Sequence, residues 1–303
     1  MLQKKYIPIL IATFIWIWPT IFVKYLTSYF DNYTQNFYRY LAAAAFLVPI
    51  NLIFFRKEFV KALKNIRQFI FPTLSVVAFQ LLWVQSIEML EPTVSMLLNK
   101  ASVLFVALFS FLLFSDERKL LSSSKFPIGS IMAIIGVTGV IIGKANAQLG
   151  VFNPGILLAL LAAVCWAFYL ILIKTIVRRT DPIVSASIIF SLAVPFFFIA
   201  SLLFGNLNVI WENSARVNTI LFGSGIFCVG IAHAFNYKSI KLIGASASSN
   251  FILITPLFTA IASYFIFGEV LSLIQIISGT VLVSGCIVLL HAANSNRFPL
   301  SRE

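Results

Sequence analysis

Ten long apolar runs follow one another along the chain, and short polar or basic stretches separate them. A helix needs about 20 apolar residues to cross the hydrocarbon core of a bilayer, and lipid offers no partner for free backbone groups. We therefore predict an all-α integral membrane protein with about ten transmembrane helices. The predicted spans are 6–24, 33–55, 68–87, 92–114, 127–143, 154–174, 183–204, 217–237, 243–267 and 271–292.

The composition agrees with a lipid-facing fold and excludes several classes of protein. Hydrophobic residues make up 60% of the chain and charged residues 11%, against about 45–50% and about 25% in soluble domains. The net charge of +12 arises in short loops rather than on one basic face, so we expect no nucleic-acid partner. The three cysteines lie far apart inside apolar runs, and there is no P-loop, so neither a metal site nor a cofactor is expected.

The distribution of basic residues predicts the orientation in the membrane. If the ten spans alternate, 17 Lys and Arg residues fall on one side and three on the other, with two inside spans. Basic loops stay in the cytoplasm. We therefore predict a multi-pass protein of the cell inner membrane with both termini in the cytoplasm.

Shifts of 150 and 153 residues bring the two halves of the chain into register. The matched pairs include Trp16 with Trp166, Lys24 with Lys174, Asp31 with Asp181, Ser86 with Ser239, and Ser95 with Ser248. Each half then holds five spans, an odd number, so the second half enters the membrane from the opposite side. We predict two inverted five-helix repeats, 1–147 and 148–303, with a substrate site near the midplane between them.

The second half carries the residues of a family resemblance. A run of small residues at 245–249 is followed by Pro256 within a span, by Glu269 after it, and by a last span with Gly279 and Gly285. With "FYRY" around Arg39 in the second span, this order resembles the EamA type of the drug/metabolite transporter superfamily. The resemblance implies a ten-helix basket and the export or exchange of small metabolites, often amino acids or their derivatives.

Lys100 is the most unusual polar residue of the predicted spans. It follows Glu91 by nine residues, which places it about 13 Å into the bilayer, near the centre of the core. A charge there should face a cavity or a partner. Lys100, with its neighbour Asn99, is therefore either a counter-charge for a carboxylate or phosphate of the substrate or a structural lysine bonded to helix carbonyls.

Several aromatic and polar residues sit at matched or neighbouring positions in the spans and are candidate substrate-binding residues. They are Trp16, Gln80, Trp83, Trp166, Tyr169, His233, Asn236 and Tyr237. Buried packing is the alternative interpretation for each. A gating or structural role is predicted for Arg39, paired with Asp31, Glu88 or Glu91, and for Pro256 as a hinge.

The leading hypothesis is a secondary transporter that moves a small organic metabolite by alternating access. A lipid or phospho-metabolite carrier is the first alternative, because phosphate would also suit Lys100. A membrane enzyme would need clustered catalytic groups, which the sequence lacks, and a scaffold would not need a polar midplane. The expected partners are a small-molecule substrate and the lipid bilayer, with a second copy of the chain as a further candidate.

Overall fold

The computed structural model describes residues 4–113, 125–145, 153–243, 248 and 251–295, and their regular secondary structure is helical throughout. A π-helix at Gly225–Ile231 and short 3-10 helices at Lys4–Tyr6 and Ile66–Phe69 accompany the α-helices. The α-helices are α1 (Ile7–Ile15), α2 (Pro19–Leu26), α3 (Asn32–Phe54), α4 (Arg56–Lys64), α5 (Ile70–Met89), α6 (Pro92–Asn99), α7 (Ser102–Leu113), α8 (Lys125–Ala145), α9 (Pro154–Ile176), α10 (Pro182–Phe204), α11 (Val209–Glu212), α12 (Ala215–Ser224), α13 (Ala232–Ile243), α14 (Thr255–Phe267) and α15 (Leu273–Ser295).

Each of the ten predicted spans overlaps an apolar helical segment of the described chain, and residues 114, 244–247 and 249–250 of the fourth and ninth predicted spans lie outside that part of the chain. Six segments are long and apolar enough to cross a membrane: Lys4–Leu26, Asn32–Phe54, Ile66–Met89, Pro154–Ile176, Pro182–Phe204 and Ala215–Ile243. Four shorter apolar helices match the remaining spans: Pro92–Val106, Pro127–Val140, Thr255–Phe267 and Leu273–Val288. The prediction of an all-α, multi-pass membrane protein is therefore confirmed.

The first, fourth and ninth spans are divided rather than continuous. The first is broken at 16–18 and resumes at Pro19, whose missing amide hydrogen suits the start of a helix. The fourth is broken at 100–101, where the amides of Lys100 and Ala101 bond to carbonyls three residues back. The ninth has a turn at 253–254, the positions that a shift of 153 residues pairs with 100–101. The two halves thus share the position of one break.

Two kinds of hydrogen bond recur at repeat-related positions. The hydroxyls of Ser86 and Ser95 are 2.8 Å apart, and those of their counterparts Ser239 and Ser248 are 2.7 Å apart. Asp31 caps α3 by accepting from the Thr34 amide, and Asp181 caps α10 by accepting from the Ile183 amide. The serine and aspartate matches found by shifting the sequence are therefore also matched in their bonding. The proposed division at 147/148 stays a prediction.

The largest buried core draws on both halves of the chain. It lies among α3, α5, α9, α10 and α13, and it includes the aromatic residues Tyr40, Phe79, Tyr169, Phe190 and Tyr237. Close helix approach at small residues supports this packing. Gly225 lies so close to α3 that a Cβ built on it would be 2.8 Å from Arg39 Cα. The candidate site lies inside this core.

Candidate functional site

His233 lies within a cluster of aromatic rings supplied by several spans. Its ring centroid is 5.0 Å from Trp16, 5.2 Å from Phe190, 5.9 Å from Trp166 and 6.1 Å from Tyr237. All four pairs meet edge to face, at interplanar angles of 76–82°. We call these five residues the aromatic cluster. It joins the break of the first span to α9, α10 and α13, and therefore both halves of the chain.

The hydrogen bonds of His233 indicate which ring nitrogen faces the site. Nδ1 lies 2.9 Å from the carbonyl oxygen of Val229. A carbonyl only accepts, so Nδ1 carries the proton that it donates, and a neutral imidazole then leaves Nε2 as an acceptor. Nε2 is buried and has no hydrogen-bond partner in the described part of the chain. His233 can therefore receive a hydrogen bond from a bound molecule.

The π-helix Gly225–Ile231 supplies the carbonyls that hold two members of the cluster. Trp16 Nε1 donates to the Cys228 oxygen at 3.2 Å, and His233 donates to the next carbonyl, that of Val229. A π-turn shifts backbone bonds away from the α-helical register, and such turns are frequent at functional sites. The wider helix thus fixes the position of Trp16 at the break between α1 and α2.

Polar side chains around the cluster are buried but keep atoms without hydrogen-bond partners among the described residues. These atoms are Gln80 Oε1, Tyr169 OH, both amide atoms of Asn236, and Tyr237 OH. Leaving a buried polar group unpaired costs about 1–3 kcal/mol, and native proteins rarely leave many in one place. A set of this size indicates a site completed by water or by a bound molecule.

Gln80 and Trp83 reach the aromatic cluster through neighbours on or near α5. Phe79 stacks on Trp83 at 5.7 Å and lies 4.8 Å from Trp166. Gln80 lies beside Tyr40, whose ring is 5.5 Å from Phe190. The sequence analysis missed Tyr40, Phe79 and Phe190, because in so apolar a chain nothing separates a site-lining ring from a packing ring.

Arg39 is buried next to the π-helix, with 1% of its surface exposed. Its Nε donates to Ser224 Oγ at 3.1 Å, and its Nη1 has no partner among the described residues. The ion pair expected from the sequence is not among its contacts. Asp31 instead caps α3 and accepts from the Asn206 amide. Glu88, a second expected partner, accepts from Gln85.

Among the described residues, Lys100 and Asn99 make no hydrogen bond or ring contact with the aromatic cluster. Lys100 is at the break of the fourth span, and its carbonyl accepts from Cys286 Sγ of α15 at 3.6 Å. Asn99 Nδ2 is buried without a partner. No contact in the described residues joins either side chain to His233. Their role in substrate binding stays a prediction for a separate position.

Pro256 stands in the first turn of α14, directly after the turn at 253–254. This is the position that the hinge prediction requires, although hinge motion itself is untested. One turn on, Thr259 Oγ1 donates to the Ile17 carbonyl at 2.9 Å. The break of the ninth span is therefore bonded to the break of the first span.

A polar network that the sequence analysis did not foresee joins four spans at one end of the bundle. Lys24 Nζ donates to the carbonyls of Ile87 at 2.9 Å and Leu90 at 3.1 Å, at the end of α5. Glu269 accepts from Thr93 Oγ1 at 2.7 Å and from the Thr93 amide, at the start of α6. We call this the Lys24–Glu269 network. The helix-end charges make both sets of bonds favourable.

No group of three or more His, Cys, Asp or Glu residues in the described chain is placed to hold a metal ion. The site therefore consists of aromatic rings, neutral hydrogen-bonding groups and one nearby guanidinium.

Comparison with protein families gives one match that repeats along the chain. Residues 3–142 and 153–291 each match the EamA-like transporter family. The two matched segments correspond to the two predicted repeats. Together they leave out only the connecting stretch and the two ends of the chain.

Three relatives each carry the name "Uncharacterized transporter". One from Methanothermobacter thermautotrophicus is 28% identical over 197 residues, which are 64% of this chain and 55% of that protein. One from Haemophilus influenzae is 21% identical over 90% of this chain and 92% of its own length. One from Archaeoglobus fulgidus is 22% identical over 93% and 96%.

One solved crystal structure has a TM-score of 0.66 with this chain and covers 96% of it and 98% of its own length. The two sequences are 16% identical, so the likeness shows the fold alone.

Proposed function

The chain belongs to the EamA-like transporter family, and on that premise we propose that it is a secondary carrier of a small organic metabolite. The observation that supports this most is the aromatic cluster, where His233 and its polar neighbours keep buried atoms unpaired. Carriers built from inverted repeats bind their substrates between the repeats, near the midplane. An amino acid or a derivative of one belongs to the class proposed.

The proposed mechanism is alternating access. The Lys24–Glu269 network ties the first, third, fourth and ninth spans at one end of the bundle, which suits the closed side of a carrier. The breaks at 100–101 and 253–254 divide one span of each half at equivalent positions. Each half can therefore bend at the same place while the remaining helices move as rigid pieces.

The orientation of the chain in the membrane is part of this proposal. The uneven distribution of basic residues favours a protein of the inner membrane with both termini in the cytoplasm. In that orientation the Lys24–Glu269 network lies on the outer side. The site would then be closed toward the outside.

The phospho-metabolite carrier is the weaker alternative. Its support was Lys100 as a partner for phosphate, and no contact among the described residues joins Lys100 to the aromatic cluster, since its backbone carbonyl accepts from Cys286 of α15.

Uptake of labelled metabolites into proteoliposomes tests the proposal. Once the panel has yielded a substrate, His233→Phe removes the Nε2 acceptor but keeps a flat ring, and Trp16→Phe removes the bond to the Cys228 carbonyl. We expect each to lower transport by roughly tenfold or more, as the loss of a buried hydrogen bond predicts. Trp211→Phe, at a tryptophan that is 87% exposed, is the matched control and should transport normally.

Wild-type transport by folded His233→Phe would contradict this placement of the site. The absence of transport for every metabolite class in a broad panel would contradict the carrier itself.

A further inference from the structure

We propose that Arg39 binds an anionic group of the transported molecule, a carboxylate or a similar planar oxyanion, while the aromatic cluster holds the rest of that molecule. This rests on the proposed carrier function and names the charge of its substrate. It also assigns the counter-charge, one of two roles that the sequence left open for Lys100, to Arg39, for which a gating or structural role was predicted.

The first observation is a buried guanidinium without a counter-ion. Arg39 is 1% exposed, its only hydrogen-bond partner in the described chain is the neutral Ser224, and Nη1 is unpaired. An ionised group in a low-dielectric interior is stable only when it is paired. The nearest acidic candidates in sequence are occupied elsewhere, as Asp31 caps α3 and Glu88 accepts from Gln85. An anion from outside the protein would complete the pair.

The second observation is a further donor beside Arg39. Gln35 precedes it by four residues on α3, so both side chains lie on one face of the helix. Gln35 is fully buried, and neither its Nε2 nor its Oε1 has a partner among the described residues. A guanidinium and an amide on one face give the flat, forked donor arrangement that a carboxylate accepts.

The third observation links Arg39 to the aromatic cluster. Ser224, which bonds Arg39, ends α12, and the carbonyls that hold Trp16 and His233 come four and five residues later. In a π-helix such residues lie one turn along the same face. The groups that hold the guanidinium and the rings are thus separated by roughly one helical turn, about 5 Å along the helix. A small molecule with an anionic group and a flat apolar body spans that distance.

The test uses probes that share one body and differ in charge. They are 3-phenylpropionate, the corresponding amine, the corresponding alcohol, and L-phenylalanine, which adds an ammonium to the carboxylate. Binding to the purified protein is followed by tryptophan fluorescence, because Trp16 and Trp166 lie in the cluster, and by thermal shift. We expect 3-phenylpropionate to bind at least tenfold more tightly than the amine or the alcohol.

The comparison of L-phenylalanine with 3-phenylpropionate shows which class of molecule supplies the carboxylate. Binding as tight as that of 3-phenylpropionate points to amino acids, and weaker binding points to simple organic acids. Both results require carboxylate recognition and support the proposal.

Two variants locate the charge that is responsible. Arg39→Gln should lower affinity for 3-phenylpropionate by roughly tenfold to a hundredfold and leave the alcohol unaffected, as the loss of a charge-assisted bond predicts. Lys100→Gln removes a second buried cation of the described spans and should lower the affinity for 3-phenylpropionate less than Arg39→Gln does. If Arg39→Gln does not fold, the four probes on the wild-type protein decide the question alone.

The proposal is overturned if the wild type shows no preference for the anion, including the case in which no probe binds. It is also overturned if Lys100→Gln, rather than Arg39→Gln, loses that preference, or if chloride alone protects the protein from unfolding as well as 3-phenylpropionate does. If the amine or the alcohol binds more tightly and still changes the tryptophan fluorescence, the assignment of Arg39 as the anion-binding residue is wrong. The aromatic cluster would then remain the candidate substrate site.

Discussion

Replacing Gly225 with alanine places a methyl group against the backbone of α3. A Cβ built at this position would lie 2.8 Å from Arg39 Cα and 2.9 Å from the Arg39 carbonyl carbon. Carbon atoms in contact prefer about 3.5–4.0 Å. Backbone atoms cannot rotate out of the way, so α3 and the π-helix must separate by about 1 Å.

The cost follows from two opposing terms. Overpacking a close contact typically costs about 1–3 kcal/mol. Alanine recovers up to about 1 kcal/mol, because glycine is a poor helix former. At the middle of both ranges the net loss is about 1.5 kcal/mol, which corresponds to a fall of about 2 °C in Tm for a chain of 303 residues.

Gly223→Ala is the matched control, because it makes the same chemical change two residues away. A Cβ at Gly223 meets no atom within 4 Å, so its Tm in detergent should stay unchanged or rise slightly. Equal Tm values for the two variants would refute the close approach of Gly225 to Arg39. If Tm falls for Gly223→Ala and not for Gly225→Ala, the tight contact with α3 involves the helix face that carries Gly223, contrary to the structure.

Two further predictions concern the repeats and the orientation. Ser86→Ala and Ser239→Ala each remove one of the repeat-related serine bonds, so each should lower stability in detergent by about 0.5–1.5 kcal/mol; a loss in one half and none in the other would show that the bonds are not equivalent. A reporter fused after residue 303 should give a cytoplasmic signal, as the 17-to-3 distribution of basic residues predicts, and an external signal would reverse the proposed orientation.

Span number was predictable because the bilayer imposes a length on each apolar run. All ten runs chosen for length coincide with helical segments. The matched tryptophans were equally accessible to sequence reasoning. Trp16 and Trp166 fall at one shift, and their rings meet at 6.0 Å. A feature that depends on spacing along the chain can be recovered from the chain alone.

The partner of Arg39 could not be predicted in this way. Its helix is apolar on most of its circumference, so the sequence does not show which way a given side chain turns. Three acidic residues near one end looked like natural partners for the guanidinium. The side chain turns instead toward Ser224, beside a π-helix that no residue pattern announces.

The direction of the Lys100 side chain could not be predicted for a related reason. Its depth in the bilayer was readable, but depth does not state which neighbouring helix the residue faces. The break at 100–101 sets the lysine carbonyl toward Cys286 of α15. Tyr40 and Phe190 were missed for the opposite reason. Phe190 is part of the cluster and Tyr40 borders it, but nothing in their sequence context distinguishes them from packing residues.

The break in the first span has no counterpart in the sixth. The chain turns at 16–18, whereas α9 runs unbroken through Trp166, the residue that a shift of 150 pairs with Trp16. In a carrier made of inverted repeats, exchanging the conformations of the two halves generates the state open to the opposite side. For the proposed carrier this predicts a second state, in which α9 bends at Trp166 and the first span straightens. Trp166 would then lie at a helix break, and Trp16 would lie within a continuous helix.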